Sequence, residues 1–225
     1  MPKSPIEDSP SLPNFLIDAP AGDRAAPPLT FAFAHGAGAP MDTPFMTFFA
    51  AALAARGWRV VRFEFPYMAQ RRRTAGRPPP DRQPVLLETW RQVIGALGPD
   101  RLVIGGKSMG GRMASLVADE ASAGGRRVRG LACLGYPFHP AGRPERLRTA
   151  HLATLATPCL ICQGSRDRLG SAAEVAGYDL AETIRLHWAA DGDHDLTPRK
   201  ASGRSTEQNW GEAVEALDGF FRTLA

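Results

Sequence analysis

The chain is 225 residues long, 44% hydrophobic and 22% charged, and its 27 Lys and Arg against 23 Asp and Glu leave a net charge of +4. That is enough chain to bury one full core as a soluble domain, and it excludes a membrane-spanning helix, because no apolar run reaches the roughly 18 residues one requires. The three cysteines, Cys133, Cys159 and Cys162, are an odd number set in apolar segments, which suits buried thiols in a reducing compartment better than a disulfide framework.

Residues 1–13 are rich in proline, serine and charge and lack the apolar segment of a secretory signal. They predict a disordered lead-in, a cytoplasmic protein and a single domain over 14–225. Residues 29–34 read as a strand, and His35-Gly36-Ala37-Gly38-Ala39 follows at its exit. A helix over 46–56, a strand over 58–65 and a polar loop come next. Within that loop, residues 70–82 carry Arg71, Arg72, Arg73, Arg77 and Arg82. Arginine clusters bind phosphates and carboxylates, so three readings stand: an anionic-partner surface, a border of the active site that selects acidic substrates, or a solvated loop. Nucleic acid is disfavoured, since no aromatics interleave with these arginines and neither helix-turn-helix nor zinc spacing is present.

A helix over 84–97 opens at Pro84, where proline is tolerated. Leu102-Val103-Ile104 then reads as a buried strand that runs into Gly105-Gly106-Lys107-Ser108-Met109-Gly110-Gly111 and a helix over 112–118. Gly106, Ser108 and Gly110 spell Gly-x-Ser-x-Gly. A serine at a sharp strand-to-helix turn sits in strained backbone, and flanking glycines leave room for the chain to fold back and lift the hydroxyl toward a substrate. A phosphate-binding loop competes, because Gly106-Lys107-Ser108 matches the end of Gly-x-x-x-x-Gly-Lys-Ser. It fails at its first position, where Arg101 stands, and the strand-like residues between leave too few free amides to cradle phosphates.

Strands over 128–135, 158–163 and 183–189 follow, with a short helix over 172–176. An amphipathic helix over 207–224 closes the chain, with Ala213, Val214, Leu217, Phe220, Phe221 and Leu224 spaced at threes and fours. Cys159 and Cys162 spell Cys-x-x-Cys inside a strand rather than at a helix opening, so they read as core cysteines, not a redox pair. Strands alternating with helices predict an α/β domain with a mostly parallel central sheet and helices on both faces. The connection over 137–157 is too short for a large cap, so an open or shallow site is expected.

In such a sheet the active groups collect at the carboxyl ends of the strands. Ser108 stands at one such end, Gly164-Ser165-Arg166-Asp167 follows the strand over 158–163, and Gly192-Asp193-His194-Asp195 follows the strand over 183–189. The order is serine, aspartate, histidine. Asp191, Asp193 and Asp195 sit too close in sequence to His194 to orient it from across a site, which leaves Asp167 for that role.

These three signatures in order resemble the α/β-hydrolase superfamily from about Leu29 onward. Ala34-His35-Gly36-Ala37-Gly38-Ala39 and Gly105-Gly106-Lys107-Ser108-Met109-Gly110-Gly111 narrow the resemblance to the small, cap-less group that includes testis-expressed protein 30 and dienelactone-hydrolase-like proteins. True dienelactone hydrolases have cysteine where this chain has Ser108, so their substrate is not carried over.

The implied chemistry uses Ser108 as nucleophile, His194 as its base and Asp167 to hold the imidazole's tautomer. The amides of Met109 and Ala37 are the expected oxyanion donors, with Gly36 and Gly38 keeping the approach unobstructed. His35 is expected to brace the oxyanion loop, His139 and His151 to lie at the surface or rim, and His187 to pack in a strand. Lys107 either pairs with an acid or attracts an anionic substrate. Met41, Phe45, Tyr67, Met68, Met109 and Phe138 are available for an apolar wall or for the core. No ligand-spaced cluster implies a metal, and no organic cofactor is implied. The function expected is hydrolysis of a small ester, thioester or amide through an acyl-enzyme. The alternative is a non-catalytic hydrolase-like module that binds an anionic partner through the arginine-rich loop.

Overall fold

The computed structural model describes residues 12–20, 28–74, 76–120 and 125–225. Apart from Leu12 and Pro13, the lead-in expected over 1–13 lies outside the described residues. Seven strands form one sheet: β1 (Phe15–Asp18), β2 (Thr30–Ala34), β3 (Arg59–Phe63), β4 (Leu102–Lys107), β5 (Gly130–Leu134), β6 (Cys159–Gly164) and β7 (Ile184–Ala189). Their order is β1-β3-β2-β4-β5-β6-β7. Every neighbouring pair is parallel except β1 with β3.

The inner strands read as continuous apolar runs because both faces are covered. Phe31, Phe33, Val103, Ala132, Leu134 and Leu160 pack into one layer with α1 (Pro44–Ala55), and the helix that closes the chain lies in that layer too. Ala32, Ala34, Leu102, Ile104, Leu131, Cys133 and Ile161 pack into the opposite layer. That layer is built on α2 (Pro66–Arg73), α3 (Gln83–Leu97), α4 (Met109–Val117) and the short α5 (Ala172–Val175). The closing helix, α6 (Thr206–Leu224), opens with a capping box in which Ser205 and Gln208 satisfy each other's backbone amides. Cys159 belongs to one layer and Cys162 to the other, so the strand's alternation points the two buried thiols away from each other.

Two elements depart from the sequence expectation. The polar loop after β3 begins as helix α2, where Pro66 occupies the first turn and Tyr67 and Met68 are buried. Strand β1 had no counterpart, because its four residues are half-exposed and gain their order from pairing antiparallel with β3 at the sheet edge. There the Asp18 carboxylate takes both Arg62 Nε at 2.9 Å and Arg62 Nη2 at 3.0 Å. Among the described residues, the β5–β6 connection contains no helix or strand and presses Phe138, Leu152 and Leu155 into the core, leaving no cap over the sheet's carboxyl edge.

Candidate active site

Ser108 follows β4 directly, and its amide donates to Leu134 O at 3.0 Å. Its backbone sits at φ 51°, ψ −115°, a conformation that costs a non-glycine residue roughly 1–3 kcal/mol. The neighbours explain how that turn is held. A Cβ on Gly106 would stand 2.4 Å from Ala34 O, and one on Gly110 would stand 2.6 Å from His35 O. Glycine on each side therefore lets the β4–α4 turn lie against the end of β2.

The loop after β7 brings His194 Nε2 to 2.8 Å from Ser108 Oγ, and the loop after β6 brings Asp167 Oδ2 to 2.7 Å from His194 Nδ1. Asp167 is fully buried, and it also accepts from Leu169 N at 2.9 Å and Gln163 Nε2 at 2.8 Å. Three donors thus fix the carboxylate's orientation. Gln163, at the end of β6, went unnoticed in the sequence; its Oε1 accepts from Tyr136 N at 2.6 Å, so the amide ties the Asp167 loop to the end of β5. No pattern in the sequence singles it out.

Ala37 and Met109 face the same cavity as Ser108. Among the described residues neither amide donates a hydrogen bond within the protein, and that of Met109 is one of the unpaired first-turn donors of α4. Tyr67 Oη donates to Ala37 O at 2.9 Å and fixes that peptide. His35 is fully buried: Phe65 N donates to its Nε2 at 3.1 Å, which leaves the proton on Nδ1, 2.6 Å from Gly36 O. Burial lowers the His35 pKa below 6.5 and keeps the ring neutral. Gly36 and Gly38 are not required by packing, since a Cβ would find only ordinary contacts at Gly36 and open space at Gly38.

Lys107 pairs with an acid, Asp195, at 3.0 Å, and its Nζ also donates to His194 O. Its head is not in water: the residue is 8% exposed, and Nζ lies 5.1 Å from the centre of the Phe45 ring. Burial lowers its pKa while Asp195 opposes the shift. Asp193 caps the histidine loop, its Oδ1 accepting from Asp195 N at 2.9 Å and Thr197 N at 3.0 Å. Asp191 is held by Arg199 and Arg166, with Arg199 drawing its carboxyl down to about 2. His139, expected at the rim, is buried at 2% exposure, because the β5–β6 connection folds inward over it. His151 is half-buried with Nε2 2.8 Å from Ser115 Oγ, and His187 is a half-buried strand residue.

Two cavities flank Ser108. One of about 480 Å³ contains His194, Lys107 and Asp195, with Phe45 and Trp210 among its walls. Trp210, on α6, is a further residue the sequence reading passed over, although it extends the stripe of Ala213, Val214 and Leu217 by one turn. Its Nε1 donates to Asp195 O at 2.8 Å. The other cavity, about 430 Å³, contains Ala37, Met109, Asp81, Arg112 and Arg148. Tyr67, Met68 and Phe138 are core residues. Two of the five arginines over 70–82 are engaged within the chain: Arg72 pairs with Glu64 at 2.7 Å and Asp42 at 2.8 Å, and Arg71 donates to Pro78 O.

A family model described as an alpha/beta hydrolase domain matches residues 27–222. Among solved structures the chain is similar to an α/β serine hydrolase without a lid from Xanthomonas campestris, at 22% identity and a TM-score of 0.65 over 93% of this chain and 88% of that one. It is similar to a dienelactone hydrolase from Anabaena variabilis at 18% identity and 0.65, over 93% and 91%. It is also similar to Est1E from Butyrivibrio proteoclasticus with ferulic acid bound, at 16% identity and 0.67, over 94% of each chain. At these identities the likeness is one of fold.

Proposed function

The chain belongs to the alpha/beta hydrolase family, and on that premise we propose that it is a serine hydrolase, cleaving a small ester, thioester or amide through an acyl-enzyme on Ser108. The observation that carries this is the continuous relay from Ser108 Oγ to His194 Nε2 at 2.8 Å and from His194 Nδ1 to Asp167 Oδ2 at 2.7 Å. Asp167 is acceptor-only as a carboxylate, so Nδ1 bears the proton and the Nε2 lone pair faces the serine hydroxyl. A serine hydroxyl is a weak nucleophile until such a base removes its proton.

In the first step Oγ bonds to the substrate carbonyl carbon as its proton passes to Nε2, and the carbonyl electron pair moves onto oxygen. The amides of Met109 and Ala37 are the donors positioned for that oxyanion, each worth roughly 3–4 kcal/mol in the transition state. Collapse breaks the bond to the leaving group, which departs with the proton from Nε2. Water then repeats the sequence and frees Ser108. Carboxylesters are the first substrates to test, and three buried cysteines fit work in the reducing cytoplasm.

The decisive experiment compares wild type with Ser108→Ala, using fluorophosphonate labelling and initial rates on p-nitrophenyl acetate and butyrate. Wild type should label and turn over, while Ser108→Ala should lose labelling and at least about 10⁴-fold in kcat with an unchanged unfolding temperature. Equal labelling of both proteins would sink the assignment.

A further inference from the structure

The two cavities beside Ser108 differ in how their charges are met. On the His194 side the cation Lys107 has its carboxylate, Asp195. On the Met109 side, Arg112 and Arg148 line the cavity, and among the described residues neither guanidinium makes a hydrogen bond or ion pair with the protein. The Arg112 Nε is buried without a partner. A guanidinium presents five donors in a planar fork suited to a carboxylate, and a buried unmet donor is costly. Arg112 stands one helical turn beyond Ser108, its amide bonded to Ser108 O at 3.0 Å, so the two side chains share a face of α4.

The lining also fixes the ligand's charge and its attachment. Asp81 is the one acid among the described residues of this cavity, and its Oδ2 already accepts from Tyr67 N at 2.9 Å. Two arginines against one aspartate leave a single positive charge, which matches a monoanion. Leu86, Met109, Met113 and Leu169 complete an apolar path past Ser108. His194, which must protonate the leaving group, lines the opposite cavity, so the leaving group departs there and the acyl chain extends toward the arginines.

We infer that the Met109-side cavity is an acyl subsite for a terminal carboxylate, so that the preferred substrate is an ester or thioester of a dicarboxylic acid monoanion, held by Arg112 and Arg148. The subsite rests on the hydrolase assignment above for its role in turnover, but its affinity for the carboxylate does not. Burial and the neighbouring Arg148 both lower the Arg112 pKa, an imbalance that a bound carboxylate reverses.

The test compares kcat/KM for 4-nitrophenyl hydrogen adipate and 4-nitrophenyl hexanoate, which have the same chain length with and without the charge, after subtraction of spontaneous hydrolysis. Wild type should favour the adipate ester at least about tenfold. In Arg148→Met that preference should fall about tenfold to a hundredfold, mainly through KM, and Arg112→Lys should lose part of it. A wild-type preference near unity, or one that survives both substitutions, overturns the subsite. Calorimetry with monomethyl adipate on Ser108→Ala separates the two ideas. Binding that weakens about tenfold when Arg148→Met is added supports the subsite whatever the turnover result, and absence of binding beside Ser108-dependent hexanoate hydrolysis rejects the subsite alone.

Discussion

Helix α4 presents two serine–histidine pairs of the same length, and they do different things. Ser108 and Ser115 each place Oγ 2.8 Å from a histidine Nε2, that of His194 and of His151. Ser108 sits at the helix entrance in positive-φ backbone, half-exposed to the two cavities, and its histidine is backed by the buried Asp167. Ser115 lies inside the helix at 3% exposure, 2.8 Å from Arg112 O and 3.2 Å from Tyr136 Oη. Its single proton has two acceptors, and no carboxylate orients His151 among the described residues. A serine–histidine distance therefore does not identify a nucleophile; access, backbone placement and the group behind the histidine do.

The widest separation between the pairs should come from the carboxylate. Asp167→Asn keeps the volume but lets the imidazole settle in the other tautomer, and kcat on p-nitrophenyl butyrate should fall about 10³- to 10⁴-fold. Ser115→Ala should leave kcat/KM near wild type while lowering stability by about 1 kcal/mol, through the partners lost by Tyr136 and His151. Urea unfolding and initial rates on the same preparations read both effects. If Ser115→Ala also abolished labelling, the comparison would be reversed.

The Ser108–His194–Asp167 arrangement was legible in sequence because its signals are local. Gly106, Ser108 and Gly110 stand within five residues, and Asp167 and His194 each follow a strand recognisable by its apolar run. The supporting residues were not. Gln163 ties the Asp167 loop to Tyr136, and Arg148 reaches the cavity wall, only because of how the loops after β5 and β6 cross, and no spacing encodes that crossing. Arg112 and Trp210 did leave a trace, as the fourth residue after Ser108 and as the continuation of the α6 stripe, but helical periodicity alone does not separate a cavity wall from a core position. Helix α2 was hidden for a different reason: its arginines made a half-buried helix look like a solvated loop.

Lys107 sharpens the contrast at the His194 end. It joins the end of β4, next to Ser108, to the loop that carries His194, through His194 O and the Asp195 carboxylate. Lys107→Met keeps the packing against Phe45 but releases the loop. Because small displacements of a catalytic base are costly, kcat should fall about tenfold to a hundredfold with KM little changed. A change confined to KM would instead mark the lysine as a substrate contact.

The smallest effect separates the histidines by what their protons control. His35 and His151 have pKa values lowered chiefly by burial, so in the folded chain each stays neutral where the unfolded chain already binds a proton. Stability is then full above the unfolded value near 6.5 and declines as pH falls below it toward the lowered folded values. The fully buried His35, whose Nε2 would face the Phe65 amide if protonated, should contribute up to about 1.4 kcal/mol per pH unit in that window. The half-exposed His151 should contribute less. His151→Gln should therefore flatten the urea midpoint between pH 6.5 and 5 slightly and leave the pH profile of kcat/KM where it was, since His151 has no part in the proposed chemistry. A rate profile that moved with His151 would make the second pair part of the chemistry.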